Sequence, residues 1–182
     1  MGRTVVFCAS SPLTADLRRL ARAVGRAIAE DGDELVYGGT LTGLMGEVAD
    51  GAREAGGRVV GVVPHMIAAL GSVDRRVDEL VEVETLGERK VAMVTDAHRV
   101  VTLAGGLGTL DELLEVLTMR QLGQLPAELD VVVLDPSGHW APLREQFEHL
   151  AELGAARRTA VRVRWETDVA GVVRATTDAP PE

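Results

Sequence analysis

The segment at residues 105–112, with the sequence GGLGTLDE, combines glycines with a hydroxyl group and two carboxylates. Glycines allow the backbone to approach a ligand closely, and a helix that begins here would present unpaired N–H groups in its first turn. Those donors and the helix dipole favour an anion such as a phosphate. We therefore expect a phosphate-binding turn that opens a helix.

The same segment also has a purely structural interpretation. Thr109 and Glu112 have the S/T-x-x-E spacing of a capping box, in which both side chains cap their own helix. The GGxG spacing is not that of a P-loop, because no lysine follows the last glycine, and it is not the dinucleotide fingerprint. The pattern alone does not distinguish a phosphate-binding turn from a capped helix start.

Two further turns of small residues precede helical patterns, at residues 8–11 (CASS) and 37–46 (YGGTLTGLMG). Ser10 and Ser11 could face a ligand, or they could cap the next helix. Thr42 could likewise cap or bind, and the glycines could serve only a tight connection. The pattern gives Cys8 no histidine or acidic partner, so we do not expect a nucleophilic cysteine.

A third pattern lies at residues 85–90, TLGERK. Thr85 and Glu88 have capping-box spacing, which places Arg89 and Lys90 near the helix start, where the dipole disfavours cations. The pair is therefore either functional or simply solvated. The four histidines show no metal-ligand spacing, so we predict no metal site; they are His65, His98, His139 and His149.

Composition narrows the function classes. The chain has 182 residues, a net charge of −9 and one cysteine. An acidic balance argues against a general nucleic-acid binder, and no apolar run reaches the length of a membrane span. A single cysteine permits no internal disulfide and fits a reducing compartment. We expect a cytoplasmic protein that binds no membrane.

Short β-branched runs alternate with helical patterns along the chain. This alternation predicts one α/β domain at residues 1–175, a Rossmann-like doubly wound parallel sheet with helices on both faces, followed by a frayed polar tail at 176–182. Ligands of such sheets bind beyond the carboxyl ends of the strands. The predicted strands are 4–8, 34–37, 58–63, 80–84, 99–103, 130–134 and 160–165, and the predicted helices are 13–30, 44–55, 86–97, 110–122 and 142–153. Residues 64–79, which include Asp74, are expected to form a solvated loop.

Taken together, these motifs resemble the LOG family, the cytokinin riboside 5′-monophosphate phosphoribohydrolases, which are often mislabelled lysine decarboxylases. The resemblance covers residues 6–123. It rests on VFCASS, VYGG, GLMGEVADGA and GVVP in the first half, and on ERKVAM at 88–93 and GGLGTLDELLEVLTMRQLG at 105–123. The family signature is PGGxGTxxE with an upstream RK pair.

The resemblance implies a hydrolase that cleaves the N-glycosidic bond of a nucleoside 5′-monophosphate, such as AMP or an N6-substituted AMP, without a cofactor or metal. It implies a homodimer with the site near the subunit interface. It places catalytic roles on Arg89 and Glu112. The nucleotide-binding residues that it implies are Ser10, Gly38, Gly39, Lys90, Met93, Gly105, Gly106, Leu107, Gly108, Thr109 and Thr118.

The chain departs from the family pattern around the expected base site. Ala104 replaces a proline, Thr40 replaces a glycine, and the region near Gly71 lacks a glutamate that the family often has. His98 and the Met119-Arg120 pair are further departures. They leave open an alternative function, a non-catalytic nucleotide or phosphoryl-ligand carrier of the same fold. Lysine decarboxylation is disfavoured, because it usually needs pyridoxal phosphate on a lysine and the only lysine lies in a helix.

Overall fold

The computed structural model describes residues 2–174, so the predicted polar tail at 176–182 lies outside the described residues. Its seven strands are β1 (Arg3–Phe7), β2 (Glu34–Tyr37), β3 (Val59–Pro64), β4 (Glu79–Val83), β5 (Arg99–Thr102), β6 (Asp130–Leu134) and β7 (Arg164–Glu166). Its helices are α1 (Ala15–Glu30), α2 (Gly43–Glu54), α3 (His65–Ala68), α4 (Leu86–Val94), α5 (Leu107–Gln121), α6 (Ala141–Glu152) and α7 (Val169–Val173).

The strands form one parallel sheet in the order β4-β3-β2-β1-β5-β6-β7. Strand β1 is central, since Val5 pairs with Val36 of β2 on one side and with Val100 of β5 on the other. The chain order reverses at this strand, which makes the crevice above β1 the topological switch point where ligands bind in such sheets. The predicted doubly wound parallel α/β architecture is confirmed.

An aliphatic core covers both faces of the sheet. On one face α1 packs against α2 through buried residues that include Ala21, Val24 and Ile28, which recur at the three- and four-residue spacing of one helix face. On the other face Met93 of α4 and Leu113 of α5 pack on the strands. Helix α1 begins after Thr14, whose hydroxyl accepts from the N–H of Leu17.

The region predicted as a solvated loop is different in the structure. It contains the short helix α3, and the side chain of Asp74 is fully buried. The acidic residue is buried because Tyr37, Arg53 and Arg76 all donate hydrogen bonds to its carboxylate. Buried charges are tolerated when they are paired in this way. Charge density alone therefore gave a wrong prediction for Asp74.

Other boundaries differ by a few residues. Helix α5 begins at Leu107, three residues before the predicted start, and β7 is confined to residues 164–166. Helix α7 was not predicted. Within residues 2–174, every helix is too short or too polar to cross a lipid bilayer.

Candidate functional site

Three turns meet at the carboxyl edge of the sheet, as the sequence predicts. The N–H of Ala9, after β1, donates to the carbonyl of Ala104, after β5, at 3.1 Å. The N–H of Leu44, at the start of α2, donates to the carbonyl of Ala9 at 2.9 Å. The turn after β1 is thus hydrogen-bonded to both of the other turns, and the three form one surface.

Helix α5 begins directly beneath this surface. Gly106 is its N-cap residue and makes no side-chain cap, so helix geometry leaves the N–H groups of residues 107–109 without intrahelical acceptors. Thr109 is nearly fully buried, and a Cβ on Gly105 would overlap its hydroxyl group. A glycine at position 105 is therefore required for the turn to pass over Thr109.

The capping-box interpretation of this segment is wrong. Thr109 is the third residue of α5 rather than its N-cap, and Glu112 is the sixth. Glu112 therefore lies in the second turn, not in the first turn where the sequence placed it. Its side chain is free of a capping role, and it is buried with about 4% of its surface exposed.

Arg89 of α4 holds three parts of the site together. Its Nη1 donates to Oε1 of Glu112 at 3.0 Å, and its Nε donates to the carbonyl of Val62 at 3.1 Å. The guanidinium also lies against Gly38, where a Cβ would overlap Nη2. A cation near the start of α4 opposes the helix dipole, but the carboxylate of Glu112 stabilises it.

The carboxyl group of Glu112 is poised for proton exchange near neutral pH. Burial raises its pKa to about 7, the charge of Arg89 opposes that rise, and Asp111 adds to it. A desolvated carboxyl group beside one cation is a usual way to bring a glutamate into the range of general acid–base chemistry. Perturbed groups of this kind cluster at functional sites.

The other residues assigned from the resemblance lie at varying distances from this centre. Lys90 contacts Asp111 at 3.0 Å and Glu115 at 3.4 Å, so it bridges α4 and α5. Burial lowers its pKa, but the hydrogen bonds to these carboxylates outweigh burial and raise it. Ser10 and Thr118 are exposed. Met93 is fully buried, so its side chain supports α4 from the core.

The structure also excludes the capping role that the sequence allowed at the first two turns. Thr14, and neither Ser10 nor Ser11, caps α1. Thr42 precedes α2 but makes no side-chain cap bond. Cys8 is fully buried, and burial together with the nearby Glu112 raises the pKa of its thiol. A thiol of this kind is a poor nucleophile.

Sequence reasoning missed a pair of residues after β6. The Nε2 of His139 lies 2.9 Å from the carbonyl oxygen of Gly105, and the indole Nε1 of Trp140 donates to the carbonyl of Leu103 at 3.1 Å. The signal was available, because these residues follow a buried strand at the same edge of the sheet. They were set aside because their spacing matches no metal or catalytic motif.

The buried Asp74 cluster supports the turn after β2. The N–H of Asp74 donates to the carbonyl of Gly39, and that of Leu41 donates to the carbonyl of Ser72. Within residues 2–174, no group of three or more histidine, cysteine or acidic side chains is arranged to bind a metal ion.

Comparisons with known proteins agree with this geometry. The family model described as possible lysine decarboxylase matches residues 45–175. The cytokinin riboside 5′-monophosphate phosphoribohydrolase of Mycobacterium marinum is 46% identical over 156 residues, covering 86% of this chain and 82% of the relative. The protein of the same name from Rhodococcoides fascians is 36% identical, covering 93% and 86%.

Solved structures share the fold. The molybdenum cofactor binding protein from Rippkaea orientalis superimposes with a TM-score of 0.71 at 23% identity, covering 93% of this chain and 91% of that one. The molybdenum cofactor carrier protein from Chlamydomonas reinhardtii gives 0.68 at 25% identity, covering 94% and 93%. The family model matches residues 45–175, which is most of the chain, and the relatives are similar over most of their length. The chain therefore belongs to the LOG family of cytokinin riboside 5′-monophosphate phosphoribohydrolases, the family that also bears the description possible lysine decarboxylase.

Proposed function

We propose that the protein hydrolyses the N-glycosidic bond of a nucleoside 5′-monophosphate, AMP or an N6-substituted AMP, to the free base and ribose 5-phosphate. The observation that carries this proposal is the buried Glu112 carboxyl group, which is paired with Arg89 and lies just behind the amino end of α5. The names of the relatives support the same reaction.

The 5′-phosphate binds at the start of α5 in this proposal. The N–H groups of residues 106–109 supply hydrogen bonds, and the positive end of the helix dipole supplies charge stabilisation. Gly106 and Gly108, where an added Cβ would meet nothing within 4 Å, leave room for the phosphate oxygens. On the facing turns, Ser10 and the residues Gly38 and Gly39 contact the rest of the nucleotide.

The ribose then reaches Glu112. Glu112 lies five positions after the first residue of α5, which is about 7.5 Å along the helix axis, and helical side chains lean toward the amino end. As the N-glycosidic bond breaks, positive charge develops on C1′ and the ring oxygen. The Glu112 carboxylate stabilises that charge and takes a proton from the water that attacks C1′.

The atoms of the reaction balance with water alone. Water supplies the hydroxyl group of C1′, and the base departs with the electron pair of the broken bond and gains a proton. Arg89 keeps Glu112 in place and, through its free guanidinium edge near Gly38, is positioned to bind ligand oxygens. Lys90 fixes α5 to α4 beside this pair.

The test is base release from AMP and from an N6-substituted AMP, with the wild type beside Glu112→Gln. We expect free base from the wild type and a loss of at least about 100-fold in kcat for the variant. Glu145→Gln, on the exposed surface of α6, is the matched control and should retain activity. Absence of base release from a panel of monophosphates would contradict the proposal.

The alternative is a carrier that binds a phosphorylated ligand without turnover. Two proteins of the same fold are named as a molybdenum cofactor binding protein and a molybdenum cofactor carrier protein. A bound monophosphate that stays intact over hours would support it. The Arg89–Glu112 pair and the higher identity to the hydrolases favour the enzyme.

We further propose a homodimer in the cytoplasm. Exposed apolar side chains on α4, on α5 and at the C-cap of α5 support the dimer, because a second copy would cover them. They are Leu86, Val91, Leu107, Leu114 and Leu122. Sedimentation of the purified protein at micromolar concentration tests the oligomeric state.

A further inference from the structure

Three successive carbonyl groups lead into the phosphate turn, and each accepts a hydrogen bond from a different donor. The carbonyl of Leu103 accepts from the indole of Trp140, that of Ala104 from the N–H of Ala9, and that of Gly105 from the imidazole of His139. A backbone whose consecutive carbonyls are all held has little freedom to rotate its peptide planes. The N–H groups that follow are therefore held in direction.

The protonation of the His139 nitrogen that contacts the Gly105 carbonyl is defined. A carbonyl oxygen only accepts, so Nε2 of His139 must carry the proton in this hydrogen bond. The imidazole packs edge-on against the Trp140 ring, with centroids 4.5 Å apart, which orients it further. His139 itself is exposed at the rim of the site.

The loop that carries the pair is held rigidly. One oxygen of the Asp135 carboxylate accepts from the N–H of His139 and the other accepts from the N–H of Trp140, both at 2.8 Å. Both residues are thus fixed at the end of β6, next to β5, from which the phosphate turn emerges. Among the hydrogen bonds and ion pairs of residues 2–174, none joins His139 or Trp140 to Arg89, Glu112 or Asp74.

We propose that His139 is a positioning residue for phosphate recognition, acting through the Gly105 carbonyl to aim the amides of the phosphate turn at the 5′-phosphate. The inference rests on the proposed function. It assigns to this pair a role in distinguishing monophosphates from nucleosides, and none in bond cleavage. Because His139 donates to a backbone carbonyl group, it acts on binding through the backbone.

Two substitutions distinguish the effect of the His139 N–H donor from the effect of its aromatic ring. His139→Phe keeps an aromatic ring against Trp140 but removes the donor, and His139→Gln keeps a side-chain N–H of similar reach. We expect His139→Phe to weaken AMP binding by about 3- to 10-fold, the effect of one hydrogen bond, and His139→Gln to restore most of it. Adenosine, which lacks the phosphate, should bind all three proteins alike.

The measurement is calorimetric titration of AMP and adenosine into full-length proteins that also carry Glu112→Gln, which blocks turnover, together with KM and kcat of the proteins that keep Glu112. Hydrolysis should show an increase in KM with kcat changed by less than about 2-fold, since Glu112 and Arg89 are undisturbed. Equal AMP affinity in wild type and His139→Phe would overturn the inference, and so would an equal loss for AMP and adenosine. If AMP binding follows the expected pattern but no base is released, the hydrolase proposal fails and the role of His139 stands.

Discussion

Oε1 of Glu112 lies 3.0 Å from Nη1 of Arg89, and both side chains are largely buried. The two residues come from neighbouring helices on the same face of the sheet, and their contact brings the start of α4 to the second turn of α5. The arginine keeps the carboxyl group partly ionised at neutral pH, and burial keeps it partly protonated. Five predictions test this site and its supports.

Activity should depend on pH through Glu112. If the carboxylate is the active form, kcat/KM rises with pH, with a midpoint near 7 set by the raised pKa of Glu112. The substrate phosphate titrates near pH 6. Glu112→Asp is the control, because it should move the inflection that comes from the residue at position 112 and leave the inflection of the substrate phosphate where it is. A pH profile with no inflection besides that of the phosphate would contradict the assignment.

Stability should also depend on pH through this residue, with a definite sign. The pKa of Glu112 is about 7 when folded and 4.5 in its unperturbed state, so between those values the folded protein holds the extra proton. The free energy of unfolding therefore falls as pH rises from 4.5 to 7, by up to about 3 kcal/mol. Glu112→Gln should lack that fall, measured as the difference between urea-unfolding curves of the two proteins across this range.

A side chain at Gly38 should displace the arginine. In Gly38→Ala the new Cβ overlaps Nη2 of Arg89 and crowds the sulfur of Met45. We expect kcat to fall at least about 10-fold, because small misplacements of catalytic groups are costly. Gly87→Ala in α4 is the matched control, since its Cβ meets only the Thr85 hydroxyl at 3.8 Å. Equal activity of both variants would contradict the role of Gly38.

The buried Asp74 should be a major source of stability. Burial raises the pKa of its carboxyl group, but the hydrogen bonds and charges of Arg76 and Arg53 outweigh burial and hold it below the ordinary value. Its stabilising effect is present at neutral pH and is lost as pH falls through that lowered pKa. Asp74→Ala should cost about 2–3 kcal/mol, because charge-assisted hydrogen bonds are lost and the buried Tyr37 hydroxyl loses its acceptor.

Thermal unfolding at pH 7 and at pH 3 measures this effect. The control is Asp16→Ala, which breaks an ion pair with Arg19 on the exposed surface of α1 and should leave the melting temperature nearly unchanged. If Asp74→Ala changed the melting temperature as little as Asp16→Ala, the Asp74 cluster would contribute little to stability. A pH-independent loss would show that its carboxylate charge is not the stabilising feature.

Cys8 should be dispensable for the reaction. Its thiol is fully buried with a raised pKa, so it should not react with thiol reagents until the protein unfolds. Cys8→Ala should retain hydrolysis within about 2-fold while losing some stability through the small cavity that it leaves. A large loss of kcat at unchanged melting temperature would contradict this expectation.

Much of this molecule could be predicted from its sequence. Parallel strands that are buried on both faces appear in the sequence as short β-branched runs. This pattern predicts six of the seven strands to within a few residues of their observed bounds. The convergence of three turns followed from the rule that the carboxyl ends of parallel strands share an edge. The strands and the order of the turns depend on residue patterns that are local in the sequence.

The rest depended on contacts between distant segments. The burial of Asp74 needs Tyr37 of β2 and Arg53 of α2 as well as the nearby Arg76, and nothing adjacent to Asp74 indicates the first two. The hydrogen bond from His139 to Gly105 joins residues 34 positions apart. The start of α5 at Leu107 was missed because a capping-box pattern two residues later offered an equally good local solution.

The hydrogen bonds among the three turns have a consequence for cooperativity. The segments near residues 9, 44 and 104 form one surface, the proposed nucleotide site, only when β1 has taken its place at the middle of the sheet. A partly folded chain that lacks either half of the sheet thus has no complete nucleotide site. Because a ligand that binds only the native state stabilises all of it, saturating AMP should slow amide hydrogen exchange in strands on both sides of β1, well beyond the residues it touches.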